Sequence, residues 1–334
     1  MTAMRQALLD VAALSVAFPG RNGPIRAVDG VSFRLEPGES LVIAGESGSG
    51  KSMLCRALMN IQPGAASVTA TRMDWQGRAL GALSPRDWRA LRGGQMAMIF
   101  QDPAAALNPL LSVGRQIMDV VIAHRACSRA QARSRAIEVL GLAGLPEPEA
   151  RLASYPSQLS GGMRQRVAIA LALAAAPKLI IADEATTNLD VSIQAQIVAL
   201  LKRLQRELGL GLIFVTHDLD LAAEVGGRLM VMYAGQPVET GPVQTVLKDP
   251  CHPYTRGLLR SAPTLHSSRE TPLQPIPGQT PKPGAVGAGA PFRSRCPVSV
   301  EGVCDVRRAP WSEAGPGHRV ACNRFALDGR GGLP

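Results

Sequence analysis

An α/β fold built around a phosphate-binding loop is predicted by three observations on this sequence. The stretch Gly45-Glu46-Ser47-Gly48-Ser49-Gly50-Lys51-Ser52 fits the phosphate-loop pattern at every fixed position. Its flanks are those the pattern needs: Leu41, Val42, Ile43 and Ala44 read as a short buried strand before it, and Met53 to Met59 as an apolar helix after it. The composition agrees, since 46% hydrophobic residues with only 4% aromatic ones, mostly Ala, Leu and Val, suit aliphatic layers of helix on sheet.

The chemistry of the loop follows from its residue types. Glycines let the backbone turn tightly and point successive N–H groups inward at phosphate oxygens, while the following helix offers its positive dipole end. Lys51 is placed to reach the β- and γ-phosphates, and the Ser52 hydroxyl to ligate Mg²⁺. At 334 residues the chain can form one large or two modest domains. No apolar run approaches the ~20 residues of a membrane helix. The longest, Val167 to Ala176, ends at Pro177, so no spanning segment is expected, and the polar-interrupted start does not read as a signal peptide. Six scattered cysteines argue against a disulfide framework and for a reducing compartment. The net charge of +10 is spread along the chain and is compatible with nucleotide, nucleic acid or an anionic membrane face.

In chain order, Leu8 to Phe18 and Ala27 to Leu35 alternate like strands, joined by a turn-rich connection. Two such strands ahead of the loop would give a nucleotide base something to lie against. Phe18 is the candidate for stacking on adenine, the alternative being a plain core side chain. Met96 to Phe100 is a further strand ending at Gln101, whose amide could approach a bound metal or water. From Ala105 to Leu159 the pattern is helical, with Ser128 as an N-cap and Gly141 and Gly144 as punctuation. Arg129, Arg133 and Arg135 read as a solvated face of this insertion. Next, Ser160-Gly161-Gly162 precedes an apolar helix from Val167 to Ala175 and reads as an N-cap with a second set of exposed N–H groups. A chain with a complete phosphate loop has most use for it if it serves a nucleotide held by another copy.

Lys178 to Ala182 forms a strand whose carboxyl end delivers Asp183 and Glu184, where ligands bind in open α/β sheets. Two acids there divide the work: Asp183 is assigned to Mg²⁺ together with Ser52, and Glu184 to water. An amphipathic helix follows, with Ile193, Ile197, Leu200, Leu201, Leu204 and Leu208 on one face. Leu212 to Thr216 is a buried strand ending at His217, which could hydrogen-bond a γ-phosphate. Leu229 to Tyr233 and Gln236 to Glu239 form a hairpin around Ala234-Gly235. From about Pro263 the composition shifts to Pro, Gly and Ser, with little periodicity up to Gly289.

Taken together, these motifs resemble the ATP-binding cassette ATPases over about residues 5 to 265. The resemblance makes Gln101 the Q-loop residue, Ser160-Gly161-Gly162 the signature, Asp183-Glu184 the Walker B pair, Asp190 the D-loop acid and His217 the switch histidine. Within that family, Val28-Asp29-Gly30-Val31-Ser32-Phe33, Ile99-Phe100-Gln101-Asp102-Pro103, the run from Asp190 to Gln196 and His252-Pro253-Tyr254-Thr255 look like the ATP subunits of oligopeptide/dipeptide importers. It implies a P-loop NTPase fold with a RecA-like core sheet, an N-terminal antiparallel β subdomain, a helical signature-motif subdomain at about 105–175 and an irregular C-terminal extension. The domains expected are an ATPase over 5–262 and an extension over 263–334.

The function implied is ATP hydrolysis powering an importer of di- or oligopeptides, with nickel, glutathione or another small solute as alternative cargo. A soluble cassette ATPase acting on nucleic acid or ribosomes is the reading from another class, disfavoured because the chain shows no second cassette, coiled coil or zinc module. The implied partners are membrane permease subunits, a second ATPase subunit of the same or a sister chain and, indirectly, an extracytoplasmic solute-binding protein, with no nucleic acid. The implied place is peripheral, on the cytoplasmic membrane face. Two positions depart from the family: Ala185 stands where proline is usual, and Asn188 where a small residue precedes the D-loop Leu-Asp. Neither removes a phosphate-contacting group, so activity should survive with altered dimer coupling. Cys296, Cys304 and Cys322 are the candidate ligands of an iron–sulfur cluster, but Ala290 occupies the place where relatives carry a fourth cysteine, so a cluster would need Cys251 or an outside ligand. The favoured expectation is an ordered tail with unligated thiols.

Overall fold

The computed structural model describes residues 6–21, 23–187, 189–261 and 275–329. Two compact units share these residues in alternation: the first draws on 6–8, 35–39, 75–187 and 189–215, and the second on 9–21, 23–34, 40–74, 216–261 and 275–329.

In the first unit, the strands Met96–Ile99, Leu179–Asp183 and Gly211–Thr216 run parallel, with Ile99 opposite Ala182 and Asp183 opposite Val215. Their unbroken aliphatic character fits parallel strands, which are ordinarily covered on both faces. The register brings their carboxyl ends level, so Gln101 and Glu184 follow neighbouring strand ends.

The stretch from Ala105 to Leu159 is helical as expected, in pieces: Pro103–Ala106, Val113–His124, Arg129–Leu142 and Pro148–Arg151, then a 3₁₀ turn at Pro156–Gln158. Ser128 caps the Arg129–Leu142 helix in a reciprocal capping box with Gln131. The punctuation falls on Gly144, with φ 74°, while Gly141 stays inside the helix, because only a residue in the left-handed region turns the chain out of it. Arg133 pairs with Glu149 at the surface. Arg135 departs from the solvated face expected of it. Its guanidinium is largely buried and donates to Leu173 O (2.9 Å) and Ala174 O (3.2 Å), carbonyls that end the helix Gly161–Leu173. In the helix Val191–Leu208 the face Ile197, Leu200, Leu201 and Leu204 is buried, but Leu208 is exposed, since it lies in the last turn before Gly209 redirects the chain.

In the second unit, Leu9–Phe18 pairs with Ile25–Leu35 and, antiparallel, with Ser67–Thr69. The fully buried strand Ser40–Ala44 runs parallel to Arg228–Tyr233, which returns antiparallel as Gln236–Pro242. Ala234 and Gly235 both have positive φ, 47° and 83°, the geometry whose twist suits a two-residue hairpin. The C-terminal region contains structure that its sequence did not announce. Trp311–Gly315 and His318–Ala321 form an antiparallel pair, and the latter adds to Gln236–Pro242 with Glu239 opposite Val320. The expected boundary at residue 262 and Asn188 both lie outside the described residues.

Candidate functional site

The phosphate loop leaves the buried strand Ser40–Ala44 and enters the helix Lys51–Leu58. Glycine is required at both ends of it. Gly45 has φ 151°, and a Cβ there would collide with the Met232 carbonyl oxygen. Gly50 has φ 98°, and its Cβ would lie 2.5 Å from the Ala27 carbonyl oxygen. The Gly235 N–H donates to Ser49 O at 2.9 Å, tying the loop to the hairpin. Lys51 is buried, its ammonium donating to Gly45 O (2.7 Å) and Glu46 O (3.0 Å). The loop's own carbonyls thus hold the lysine over the turn, and reaching a phosphate means exchanging these oxygens for others of like chemistry.

Glu46, the second loop residue, is held from two directions. Its N–H donates to the Tyr254 hydroxyl at 2.8 Å, and its carboxylate accepts a two-pronged contact from Arg295, at 2.7 and 3.1 Å, and a bond from Thr280 at 2.9 Å. Burial alone would raise the Glu46 pKa, but the bonds from Arg295 and Thr280 and the guanidinium charge outweigh it and hold the carboxyl below its usual range. Tyr233 meets Tyr254 and Phe292 edge-on, with ring centroids 4.6 and 5.1 Å apart, and Tyr254 and Phe292 lie tilted at 5.3 Å. Sequence reading singled out His252-Pro253-Tyr254-Thr255 without a physical role for it, and offered no signal for Arg295 or Thr280. Phe18 ends its strand half-buried, and His217 is exposed after the strand Gly211–Thr216, where Asp218 caps the next helix.

The first unit brings Gln101, Asp183 and Glu184 to one end of its parallel strands. Asp183 is buried, and the Gln101 amide donates to Glu184 Oε2 at 3.2 Å. Glu184 has φ 49°, a conformation rare without glycine, and its N–H is tied to Val215 O at 3.2 Å. Such strain is characteristic of sites where a side chain is aimed for chemistry. Ala185 after it is buried.

In the same unit, Ser160 caps the helix Gly161–Leu173 through the Met163 N–H at 3.3 Å, leaving Gly161 and Gly162 in the first turn, where N–H groups have no intrahelical acceptor. A Cβ on Gly162 would lie 3.2 Å from Ile193, so this first turn sits closely on the helix that Asp190 caps. Bonds from Ser192 Oγ (2.7 Å) and the Ile193 N–H (3.0 Å) lower the Asp190 pKa.

Cys296, Cys304 and Cys322 share a cavity of about 20 Å³ whose wall also includes Ala290, Phe292 and His252. Burial pushes the Cys296 thiol up to about 11 and raises that of Cys322. Ala290 carries no ligand atom, so the three thiols of this wall do not by themselves complete a four-thiolate cluster. Cys251 is not among the residues lining this cavity, though it packs with Cys322 of its wall and with Val320 and Phe325. Its N–H, that of His252 and the His318 ring all meet the fully buried Glu239 carboxylate, at 2.6, 3.1 and 2.8 Å. That carboxylate staples the hairpin, the tail strand and the entry to the helix Pro253–Ser261.

Comparison with known proteins places these observations in a family. The ABC transporter family matches residues 28–187, and the family of the oligopeptide/dipeptide transporter C-terminal region matches residues 238–304. The chain is 50% identical over 275 residues to the oligopeptide transport ATP-binding protein OppD of Bacillus subtilis, covering 82% of this chain and 77% of that one. It is 43% identical over 325 residues to the dipeptide transport ATP-binding protein DppD of Escherichia coli, covering 97% and 98%. Among solved structures, the post-hydrolysis dimer of the ATP-binding cassette MJ0796 with ADP and Pi matches with TM-score 0.60 and 30% identity, over 70% of this chain and 98% of that one. The chain therefore belongs to the ATP-binding proteins of the ABC transporter family, in the branch that carries the oligopeptide/dipeptide transporter C-terminal region.

Proposed function

We propose that this chain hydrolyses ATP with Mg²⁺ and thereby powers import of di- or oligopeptides through membrane permease subunits. The observation that carries the reading is the combination, on one chain, of a complete phosphate loop, an Asp183-Glu184 pair at a strand end and a tail matching the oligopeptide/dipeptide branch. The backbone N–H groups of the loop and Lys51 bind the β- and γ-phosphates. Phe18 lies under the adenine. Glu184, oriented by Gln101, takes a proton from the attacking water, and His217 donates to the γ-phosphate. Ser52, Gln101 and Asp183 are oxygen donors suited to Mg²⁺, a hard cation that when bound neutralises phosphate charge.

Ser160, Gly161, Gly162 and Asp190 serve the nucleotide held by a second ATPase subunit, so that two subunits close head to tail and reopen after hydrolysis. This motion is the work delivered to the permease. Among the described residues no helix is long and apolar enough to cross a membrane, and the chain acts as a peripheral subunit bound to its permease.

The test is ATP hydrolysis by the purified chain beside Lys51→Ala and Glu184→Gln, followed by uptake of labelled dipeptide in vesicles holding the permease and sister subunits. Turnover lost in both variants, with ATP-dependent uptake by the wild type alone, supports the reading. Uptake indifferent to Lys51→Ala overturns it.

A further inference from the structure

We infer that Arg295, a residue of the C-terminal extension, is a positioning residue for ATP binding: it holds and neutralises the acidic side chain that the phosphate loop carries at Glu46. The inference rests on the ATP-binding reading above and extends it to a part of the chain outside the motifs.

Three observations carry it. Arg295 is more than nine-tenths buried and is fixed by far more than one contact. Its guanidinium donates to both Glu46 carboxylate oxygens, to Pro277 O at 2.8 Å, to Ile276 O at 3.2 Å and to the Tyr233 hydroxyl at 3.4 Å. Such a two-pronged guanidinium–carboxylate contact fixes orientation as well as charge. Second, Glu46 stands inside the turn whose N–H groups would gather a polyphosphate. An unmatched carboxylate there is a like charge beside the ligand, poorly screened because it is partly desolvated. Third, the backbone of the same residue is held through the Tyr254 hydroxyl, and Tyr254 packs with Tyr233 and Phe292 against the region that contains Arg295. Side chain and backbone of this loop position thus both depend on residues far downstream, and Glu46 is separated from Arg295 by 249 positions.

A packing role and a charge-masking role differ in one respect: only the second is relieved by deleting the masked charge. The full-length chain is titrated with a fluorescent N-methylanthraniloyl ATP in Mg²⁺, as wild type, Lys51→Ala, Arg295→Met, Glu46→Gln and the double variant Glu46→Gln/Arg295→Met. Arg295→Met should weaken binding about 10-fold, Glu46→Gln by no more than about 2-fold, and the double variant should recover to within about 3-fold of wild type. In hydrolysis the Arg295→Met loss should fall on KM, with kcat within about 2-fold.

Binding by Arg295→Met equal to wild type overturns the inference, as does a double variant as weak as Arg295→Met. Arg295→Gln, which keeps a donor for Pro277 and Ile276, carries the same comparison with the same deciding outcomes if Arg295→Met does not fold. Wild type binding no better than Lys51→Ala would instead count against the ATP-binding reading itself, so the two failures are distinguishable.

Discussion

Glu184 shows what a single residue contributes and what holding it there costs. A non-glycine residue at φ 49° is strained by roughly 1–3 kcal/mol, and here the strain accompanies a carboxylate delivered next to the Gln101 amide at a strand end. Glu184→Gln keeps the shape and removes the base. It should therefore retain ATP binding while slowing phosphate release by about 100-fold or more, read by titration and a release assay on one preparation. Turnover near wild type in that variant would take the base role from Glu184. Gly50 is the complementary case, since its value lies in lacking a side chain. With φ 98° and the Ala27 carbonyl oxygen 2.5 Å from where a Cβ would sit, Gly50→Ala must displace backbone. The expected result is ATP affinity reduced by about 10-fold or more together with a lower melting temperature. An unchanged affinity would mean that the loop can rearrange freely, against its bonds to the hairpin.

At the scale of elements, the segment Cys251 to Tyr254 joins the Glu239 staple to the Tyr254 contact with the loop. His252 is buried, and its Nδ1 accepts the Tyr254 N–H at 3.0 Å, a bond that only the neutral ring can take. Burial pushes its pKa down to about 4, with the Glu239 charge opposing. Because the folded value lies below the unfolded one of about 6.5, the unfolded chain binds the extra proton between these two values. Stability from this group is therefore full above pH 6.5 and declines as pH falls from there toward 4, by up to about 3 kcal/mol in total. Urea midpoints should drop across that window, and His252→Asn, which keeps an acceptor but cannot titrate, should flatten the drop. An equal pH slope in both proteins would assign the acid sensitivity elsewhere. The legibility of elements divides along the same lines. The phosphate loop, its strand and helix, the acidic pair and the cap at Ser128 could be read in advance because each is chemistry confined to a few adjacent residues. The hairpin Trp311–Ala321 could not, since its strands are short and mixed in polarity and gain their place by pairing Val320 with Glu239. Arg135 looked like a surface charge for a similar reason: its acceptors, Leu173 O and Ala174 O, belong to another helix. The candidate site was legible as a set of motifs, whereas the residues that steady its loop, Tyr254, Thr280 and Arg295, are joined to Glu46 only by the folded chain.

For the whole molecule, the proposed work is done on a partner, and a partner needs a surface. The first unit leaves large apolar side chains in solvent on either side of Gln101 in the sequence: Leu110 is 83% exposed, and Phe100, Leu111 and Ile122 are also exposed. Single exposed apolar residues are ordinary, but four within the stretch from Phe100 to Ile122, none of them placed in the chemistry of ATP, are what docking a membrane subunit would use. Leu110 follows Asn108, which bonds the Leu110 N–H at 2.9 Å and is itself bonded by Gln116, so the exposed side chain projects from a braced turn. Bracing lowers the entropy lost on docking and so favours use of this turn as an anchor. Leu110→Asp combined with Ile122→Asp should leave the melting temperature unchanged and basal ATP hydrolysis within about 2-fold of wild type, since neither residue supports the core or the phosphate loop. Co-purification with tagged permease subunits should fall by about 10-fold or more, and vesicle uptake with it, because burying two carboxylates at an apolar interface without partners is strongly unfavourable. Retained co-purification would move the docking surface off this segment. Loss of hydrolysis in the isolated chain would show instead that these residues act within the ATPase, and the division between the subunit's chemistry and its coupling would have to be redrawn.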